Sequence, residues 1–183
     1  MNQAHDDFSF RQPVALRDRR LATIRVMRPE DKDKLVAAFA KLDRESIYTR
    51  FFSYRKELPQ RALERIGLID FVRLAGLVVT LDEGSGETVI AGATYVATDG
   101  ADGVKAAEAA FTVEEDFQRQ GLAGRLLDAL AGIARRHGFV RLEADVLARN
   151  SAMLAVFKRS GLPLTARREG ETLHLSLSLL PLA

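Results

Sequence analysis

The sequence contains no cysteine among its 183 residues. Disulfides, thiolate metal sites and a cysteine nucleophile are therefore excluded. Long apolar runs are also missing, since the longest, near residues 74–81, is far shorter than the roughly 20 residues of a membrane span. The N-terminus carries acidic residues and no apolar segment of the secretory type, so we expect a cytoplasmic protein.

Neither sign of charge dominates, and histidine is scarce. The 27 Lys and Arg residues nearly balance the 25 Asp and Glu residues. The net charge of +2 argues neither for nor against nucleic-acid binding, because it hides local patches. No two of the three histidines lie at metal-ligand spacing, so we expect no metal site.

What is present is the composition of an ordinary globular protein. The hydrophobic fraction of 47% and the charged fraction of 28% fit that class. The length is sufficient for one domain with a sizeable core. We predict a loosely held, flexible tail over residues 1–12 and a single domain over residues 13–183.

The order of the predicted elements indicates an α/β (α+β) fold. Three antiparallel strands precede a strand–helix–strand unit whose second strand returns parallel to the first, which gives a mixed, mostly antiparallel central sheet flanked by helices on both faces. The predicted strands cover residues 14–17, 20–27, 71–81, 89–97, 106–113, 139–146, 164–168 and 173–179. The predicted helices cover residues 28–42, 43–52, 59–68, 121–137 and 150–160.

The segment over residues 111–127 combines the features of an anion site. It begins as a strand, passes through a polar turn and ends as a helix. Backbone N–H groups at a helix start lack partners within the helix, and the helix dipole adds partial positive charge there. Gly121 lets a ligand approach the backbone, and Ala123 and Gly124 add little bulk.

Polar side chains in the same turn can add hydrogen-bond donors. Gln118, Arg119 and Arg125 are the candidates, and a planar guanidinium suits phosphate. From the residue types alone, an ordinary strand-to-helix connection with a solvated turn is equally compatible. Two nucleotide-binding patterns are absent, since neither GxxxxGK(S/T) nor GxGxxG occurs.

Residues 118–123, Gln-Arg-Gln-Gly-Leu-Ala, resemble the Q/R-x-x-G-x-G/A loop with which the GNAT superfamily of N-acetyltransferases binds the pyrophosphate of acyl-CoA. Residues 150–162 begin with Asn150 and resemble the family's Asn-led helix with its closing glycine step. The six-residue loop is weakly specific by itself, whereas loop, helix, strand and second helix in this order are specific together. The similarity extends from about Thr23 to the C-terminus.

This resemblance implies the acyl-CoA N-acyltransferase fold, in which the parallel strands over residues 106–113 and 139–146 splay apart to admit the pantetheine arm. It also implies acetyl-CoA (coenzyme A) as the acyl donor and direct attack by a primary amine in a ternary complex. The residues implied in cofactor binding are Phe111, Thr112, Val113, Gln118, Arg119, Gln120, Gly121, Leu122, Ala123, Gly124, Arg125, Asn150, Met153 and Phe157.

Residues 44–52 also resemble a subgroup that includes bacterial protein-lysine acetyltransferases. A protein lysine is therefore an expected acceptor, with a small amine as the open alternative. The helices before the main sheet would form one wall of the acceptor channel. Nucleic acid and membranes are not expected partners, and a homodimer is left open.

Glu108 is the candidate general base. It lies mid-strand in an otherwise apolar run, so its carboxylate faces either a cleft or solvent, and the residues alone favour solvent. The resemblance favours the cleft, since the bacterial lysine acetyltransferases carry their base glutamate just before a similar A-F-x-V run. A half-buried glutamate would have a raised pKa and could accept the ammonium proton through water.

The general acid is not assigned. The family often uses a tyrosine in the Asn-led helix, but Phe157 occupies this position and has no proton to transfer. Either backbone dipoles or water help the thiolate to leave, or another group such as Tyr48, Tyr54 or Tyr95 serves instead.

Two other functions remain open from the sequence. The same fold could bind acyl-CoA without turnover, as a non-catalytic binding module. A helix-turn-helix DNA-binding protein is suggested by the basic residues between 119 and 136, but the apolar stripe over residues 121–137 is too broad for a helix that lies in a DNA groove.

Overall fold

A computed structural model describes residues 7–84, 86–99 and 103–180 of the protein. Its centre is one mixed sheet of eight strands, which confirms the predicted fold class. The strands are β1 (Arg11–Ala15), β2 (Leu21–Val26), β3 (Leu74–Asp82), β4 (Glu87–Asp99), β5 (Lys105–Val113), β6 (Arg141–Leu147), β7 (Leu164–Glu169) and β8 (Thr172–Ser178). Their spatial order is β1-β2-β3-β4-β5-β6-β8-β7.

Five α-helices lie within these described ranges. They are α1 (Lys32–Ala40), α2 (Arg44–Phe51), α3 (Gln60–Arg65), α4 (Leu122–Arg136) and α5 (Ser151–Arg159). None of them combines the length and the apolar character that a membrane span requires.

Strands β5 and β6 are parallel, as predicted, and every other described pair of neighbours is antiparallel. The described pairing between them ends at Glu108, which lies opposite Glu143. Both strands continue beyond this point, β5 to Val113 and β6 to Leu147. The strands therefore diverge and leave an opening in the sheet, called the gap below, which confirms the splay that the resemblance implied.

Helix α4 packs its apolar stripe against one face of the sheet. Leu126, Leu127 and Leu130 are fully buried, in one core cluster with Ala93 of β4 and Ala109 of β5. Burial of each leucine contributes roughly 1.5–3 kcal/mol, so the position of α4 relative to β5 is strongly fixed. Helix α4 lies between strands β5 and β6 and has no adjacent α-helix in the described chain, so the helix-turn-helix alternative is wrong.

A buried ion pair ties the start of α1 to the sheet. Arg25 of β2 and Asp31 are each 2% exposed and form two hydrogen bonds, of 2.7 and 2.8 Å. Glu87, at the start of β4, accepts a further bond from Arg25 at 2.7 Å. Paired and hydrogen-bonded charges of this kind tolerate burial, so α1 is held over the sheet face opposite α4.

Secondary structure begins before residue 13, where we predicted the start of the domain. A 3-10 turn spans Asp7–Ser9, and β1 already begins at Arg11. Asp7 is buried and accepts hydrogen bonds from Arg136, and its Oδ2 lies 2.8 Å from His137 Nε2. Residues 7–12 of the predicted tail therefore belong to the fold, because a buried carboxylate anchors them to the end of α4; residues 1–6 lie outside the described residues.

Candidate functional site

The turn between β5 and α4 has an unusual backbone. A 3-10 turn over Glu115–Phe117 leads into it, and two of its residues then have positive φ, Arg119 at 59° and Gly121 at 79°. The left-handed conformation costs a residue with a side chain roughly 1–2 kcal/mol. Such strain is common at ligand-binding turns, but Arg19, Phe52 and Phe71 share it, so Arg119 indicates a site only together with the features that follow.

Six consecutive backbone amides of this turn, from residue 119 to residue 124, find no acceptor within the described residues. The preceding amide, of Gln118, donates to the Glu115 carbonyl at 3.1 Å, and the first helical bond runs from Arg125 N to the Gly121 carbonyl at 3.1 Å. No described side chain caps α4. The free amides and the positive end of the helix dipole have the geometry of a candidate anion site.

The outer side of the turn is open. A Cβ atom built at Gly121 or Gly124 would meet no described atom within 4 Å. Leu122 is only 1% exposed, so it can offer a ligand its backbone alone. Among the other predicted residues, Gln118, Arg119 and Arg125 are exposed, whereas Gln120 and Ala123 are half-buried.

Two of the predicted cofactor-binding residues brace the turn. Gln118 Nε2 lies 3.3 Å from the Val113 carbonyl and 3.5 Å from Ser46 Oγ. Gln120 Oε1 accepts a hydrogen bond from the Arg17 amide at 3.0 Å. These bonds connect the turn to β5, to α2 and to the β1–β2 hairpin, so the positions of the free amides are fixed by three elements.

The edge of β5 presents backbone groups to the gap. Glu114 N donates to the Ile90 carbonyl in β4 at 3.0 Å. Since the backbone groups of a strand alternate in direction, those of Thr112 also point to β4, and those of Phe111 and Val113 point into the gap. The N–H groups of Phe111 and Val113 are thus directed at any ligand that occupies the gap.

Helix α5 follows β6 and packs against β5. Asn150 Oδ1 accepts from Met153 N at 3.1 Å, which confirms its prediction as the helix cap. Met153 is half-buried, whereas Phe157 is 1% exposed and its ring meets that of Phe111 edge-on, with centroids 5.8 Å apart. The contribution of these residues to cofactor binding stays a prediction.

Glu108 lies where the gap begins, at the last described pair between β5 and β6. Its side chain is exposed, so the expectation of a half-buried glutamate is wrong. Glu108 still has Glu143 of β6 opposite it, and the two strands diverge only beyond this pair, so no residue of β6 covers the space next to Glu108 on its C-terminal side. The charge of Glu108 acts on the guanidinium of Arg50 in α2.

The three tyrosines differ in their access to solvent. Tyr95 is fully buried, and its hydroxyl donates to the Phe71 carbonyl at 2.5 Å. Burial raises the pKa of Tyr95, which makes it a poor proton donor. The rings of Tyr48 and Tyr54 pack on each other with centroids 4.9 Å apart, at α2 and the segment after it. Tyr95 is therefore removed from the candidate acids.

Helix α2 connects the two sides of the gap. On the β5 side, the Asp43 amide at its N-terminus donates to Glu115 Oε1 at 3.2 Å. On the β6 side, Glu45 pairs with Arg149 at 3.0 Å, just after that strand ends. The N-terminal end of α2 thus contacts residues on both sides of the gap.

The structure also reveals a cavity of about 140 Å³ between α1–α3 and the face of β4 and β5. Its floor includes Gly92 and Ala110, and Arg50 lies in its wall. The sequence did not single out Arg50, because the aromatic residues around it suggested core packing. The available signal was an arginine placed directly before Phe51 on the apolar face of a helix.

Comparisons with known proteins agree with this geometry. A model of the acetyltransferase (GNAT) family matches residues 42–162. Acetyltransferase Pat of Mycolicibacterium smegmatis is 35% identical over 150 residues, which are 81% of this chain and 43% of Pat, so the chain spans less than half of that relative's length.

Two solved structures are similar as well. The GNAT domain of S. lividans PAT superposes with a TM-score of 0.80 at 32% identity, over 92% of this chain and 96% of that chain. The structure of yncA from Salmonella typhimurium with its cofactor acetyl-CoA superposes with a TM-score of 0.64 at 20% identity, over 86% of this chain and 91% of that chain. At that lower identity the likeness concerns the fold.

Proposed function

Since the chain belongs to the acetyltransferase (GNAT) family, we propose that it is an N-acetyltransferase that uses acetyl-CoA to acetylate a primary amine. The observation that carries this proposal is the row of six amides without acceptors at residues 119–124. A diphosphate supplies the acceptor oxygens that such a row lacks. The related yncA structure contains acetyl-CoA, which supports the same ligand here.

The gap is proposed to hold the coenzyme's arm and its thioester. The bound coenzyme supplies an acetyl group whose carbonyl carbon forms a bond to the amine nitrogen while the carbon–sulfur bond breaks. The N–H groups of Phe111 and Val113, which point into the gap, would bind the arm and polarise the thioester carbonyl. Donors aimed at a developing oxyanion in this way are a major source of rate acceleration.

Glu108 is proposed as the general base. The amine arrives as an ammonium ion and must lose a proton before its nitrogen can attack. An exposed carboxylate at the start of the gap can take that proton through a water molecule and release it to solvent. A base of this kind contributes about 10²–10⁴-fold to a rate.

The departing thiolate has no tyrosine partner at the position of Phe157. The buried ring of Phe157 cannot donate a proton, and Tyr95 is engaged with the Phe71 carbonyl. We propose that backbone N–H dipoles at the gap stabilise the thiolate until water protonates it. The acceptor is either a protein lysine, which the likeness of residues 44–52 favours, or a small amine.

The coenzyme site is tested with Gly124→Glu. Gly124 is helical, so the variant avoids the strain that Gly121 at φ 79° would add, and a glutamate in the first turn of a helix is favourable. We expect the carboxylate to repel the diphosphate and to weaken acetyl-CoA binding by roughly a hundredfold, measured by calorimetry, without a lower melting temperature. Equal affinity of both proteins would reject the site.

Catalysis is tested with Glu108→Gln. We expect kcat to fall by roughly a hundredfold or more, with the acetyl-CoA Kd unchanged, because Glu108 lies outside the turn that holds the diphosphate. The alternative is a non-catalytic acyl-CoA-binding module. It would be favoured if the wild-type protein bound acetyl-CoA yet acetylated nothing in a panel of amines and lysine peptides.

A further inference from the structure

The cavity between α1–α3 and the sheet has the size of one small side chain. Its volume is about 140 Å³, and a protein cavity of about 150 Å³ holds a benzene molecule. The walls of the cavity are apolar and include Phe39, Phe51 and Ile66. Gly92 and Ala110 of the sheet are small and leave space at its floor. The cavity therefore suits a compact apolar group of about six non-hydrogen atoms.

Arg50 lies in the wall of this cavity and forms no ion pair with Glu114, a lining carboxylate that pairs instead with Lys41 at 3.4 Å. Arg50 is half-buried, and within residues 7–84, 86–99 and 103–180 it makes no hydrogen bond and no ion pair. Its described contact is with the ring of Phe51, at 4.8 Å. Arg25, in contrast, pairs with Asp31 and Glu87 through its two terminal nitrogens, although its buried Nε has no described partner.

Arg50 lies at the reacting end of the site and not at the diphosphate end. Helix α2 begins beside the anion-binding turn, where Ser46 meets Gln118 at 3.5 Å. Arg50 is one turn further along this helix, and there the charge of Glu108 acts on it. Arg50 also lines the cavity together with Ala110, which is two residues after Glu108 and on the same face of β5.

The positive charge of Arg50 is incompletely compensated. Burial lowers the pKa of its guanidinium, and the charge of Glu108 offsets this only in part. An arginine nevertheless stays protonated at physiological pH. Its five N–H donors, arranged in a fork, match the two oxygens of a carboxylate.

We propose that Arg50 binds a carboxylate of the acceptor, so that the preferred acceptors are amino acids with a compact apolar side chain. This inference rests on the proposed acetyl transfer and names its substrate class. An α-amino acid carries its ammonium and its carboxylate on one carbon, which matches a base at Glu108 beside a guanidinium at Arg50. The side chain would then enter the apolar cavity.

The test compares each free amino acid with its own amide. Valine, leucine and methionine are assayed beside valinamide, leucinamide and methioninamide at saturating acetyl-CoA. We expect kcat/KM for the best amino acid to exceed that of its amide at least about tenfold, as for loss of a charge-assisted hydrogen bond. Arg50→Met should abolish this preference, with the acetyl-CoA Kd and the melting temperature unchanged.

Arg44→Met is the matched control. Arg44 is exposed on the same helix, and its described contact is with the ring of Tyr54 at 4.8 Å. This variant should keep the preference for the free carboxylate. Equal kcat/KM values for acid and amide in the wild-type protein would overturn the inference, as would an Arg50→Met variant that loses activity on both to the same extent.

A third set of acceptors separates this inference from the proposed function. Peptides with an internal lysine carry no carboxylate next to the reacting amine. If they are acetylated and the free amino acids are not, acetyl transfer stands and the role of Arg50 is rejected. If no acceptor reacts although acetyl-CoA binds, the proposed enzymatic function itself fails, and the inference falls with it.

Discussion

At the scale of single residues, Gly124 separates helix stability from coenzyme binding. Gly124→Ala should raise the free energy of unfolding by about 0.5–1 kcal/mol, because glycine disfavours a helix and nothing described lies within 4 Å of the added methyl group. We expect the same methyl group to obstruct the diphosphate and to weaken acetyl-CoA binding about tenfold, which is about 1.4 kcal/mol. Urea unfolding and calorimetry measure the two effects.

Gly132, two turns further along α4, provides the control. A Cβ there would meet Arg136 Nη1 at an ordinary distance of 3.7 Å. Gly132→Ala should therefore stabilise the protein by a similar amount and leave acetyl-CoA affinity unchanged. A loss of affinity in both variants would mean that helix rigidity, and not contact with the ligand, governs binding.

The sequence predicted those residues whose role depends on their neighbours in the chain. The polar turn around Gly121 and the cap at Asn150 were found because both are local features of a helix start. The exposure of Glu108 was predicted wrongly from the resemblance, and Arg50 was not singled out. Both depend on where β6 and α2 lie, which no short stretch of sequence specifies.

At the scale of elements, the 3-10 turn over Asp7–Ser9 is held to the C-terminal end of α4 by the carboxylate of Asp7. Burial alone would raise the pKa of Asp7, but hydrogen bonds from Arg136 and His137 outweigh it, and the pKa lies below its usual 3.8. Asp7→Asn should lower the free energy of unfolding at neutral pH by about 1–3 kcal/mol, since Arg136 loses a charged acceptor.

The same variant predicts a pH dependence. A carboxyl group whose folded-state pKa is depressed contributes its stability above its unfolded pKa and loses it as the pH falls through the folded value. The difference between wild type and Asp7→Asn should therefore shrink below about pH 4. Urea unfolding at each pH measures it.

Asp128→Asn is the control for the contact between Asp7 and the end of α4. Asp128 is exposed on α4 and has no ion pair in the described chain. Its stability difference from wild type should stay near zero at every pH. A difference for Asp7→Asn that did not shrink in acid would contradict the role assigned to its charge.

Element boundaries were predicted best where a single side chain sets them. Helix α2 begins after Asp43, whose carboxylate accepts from Ser46 N at 2.6 Å. The strand predicted from residue 71 begins only at Leu74. There Asp70 accepts three backbone N–H bonds and Phe71 takes φ 58°, a turn that the apolar run concealed.

At the scale of the whole molecule, the single parallel pair organises the site. The sequence predicted it, because a strand–helix–strand unit returns parallel by a right-handed crossover. The splay of this pair came only from the family resemblance, and the structure places its start at Glu108. The point at which two strands separate depends on the paths of two distant segments, so periodicity within either segment cannot reveal it.

Two helices of this protein begin with a side chain of their own sequence, Asp43 for α2 and Asn150 for α5. No described side chain caps helix α4, and its first backbone amides have no acceptor within the described residues. In the proposed complex with acetyl-CoA, the diphosphate of the coenzyme caps α4 in the way that the side chains of Asp43 and Asn150 cap α2 and α5. The longest described helix would then be capped only while the coenzyme is bound, so its stability would increase with the coenzyme concentration.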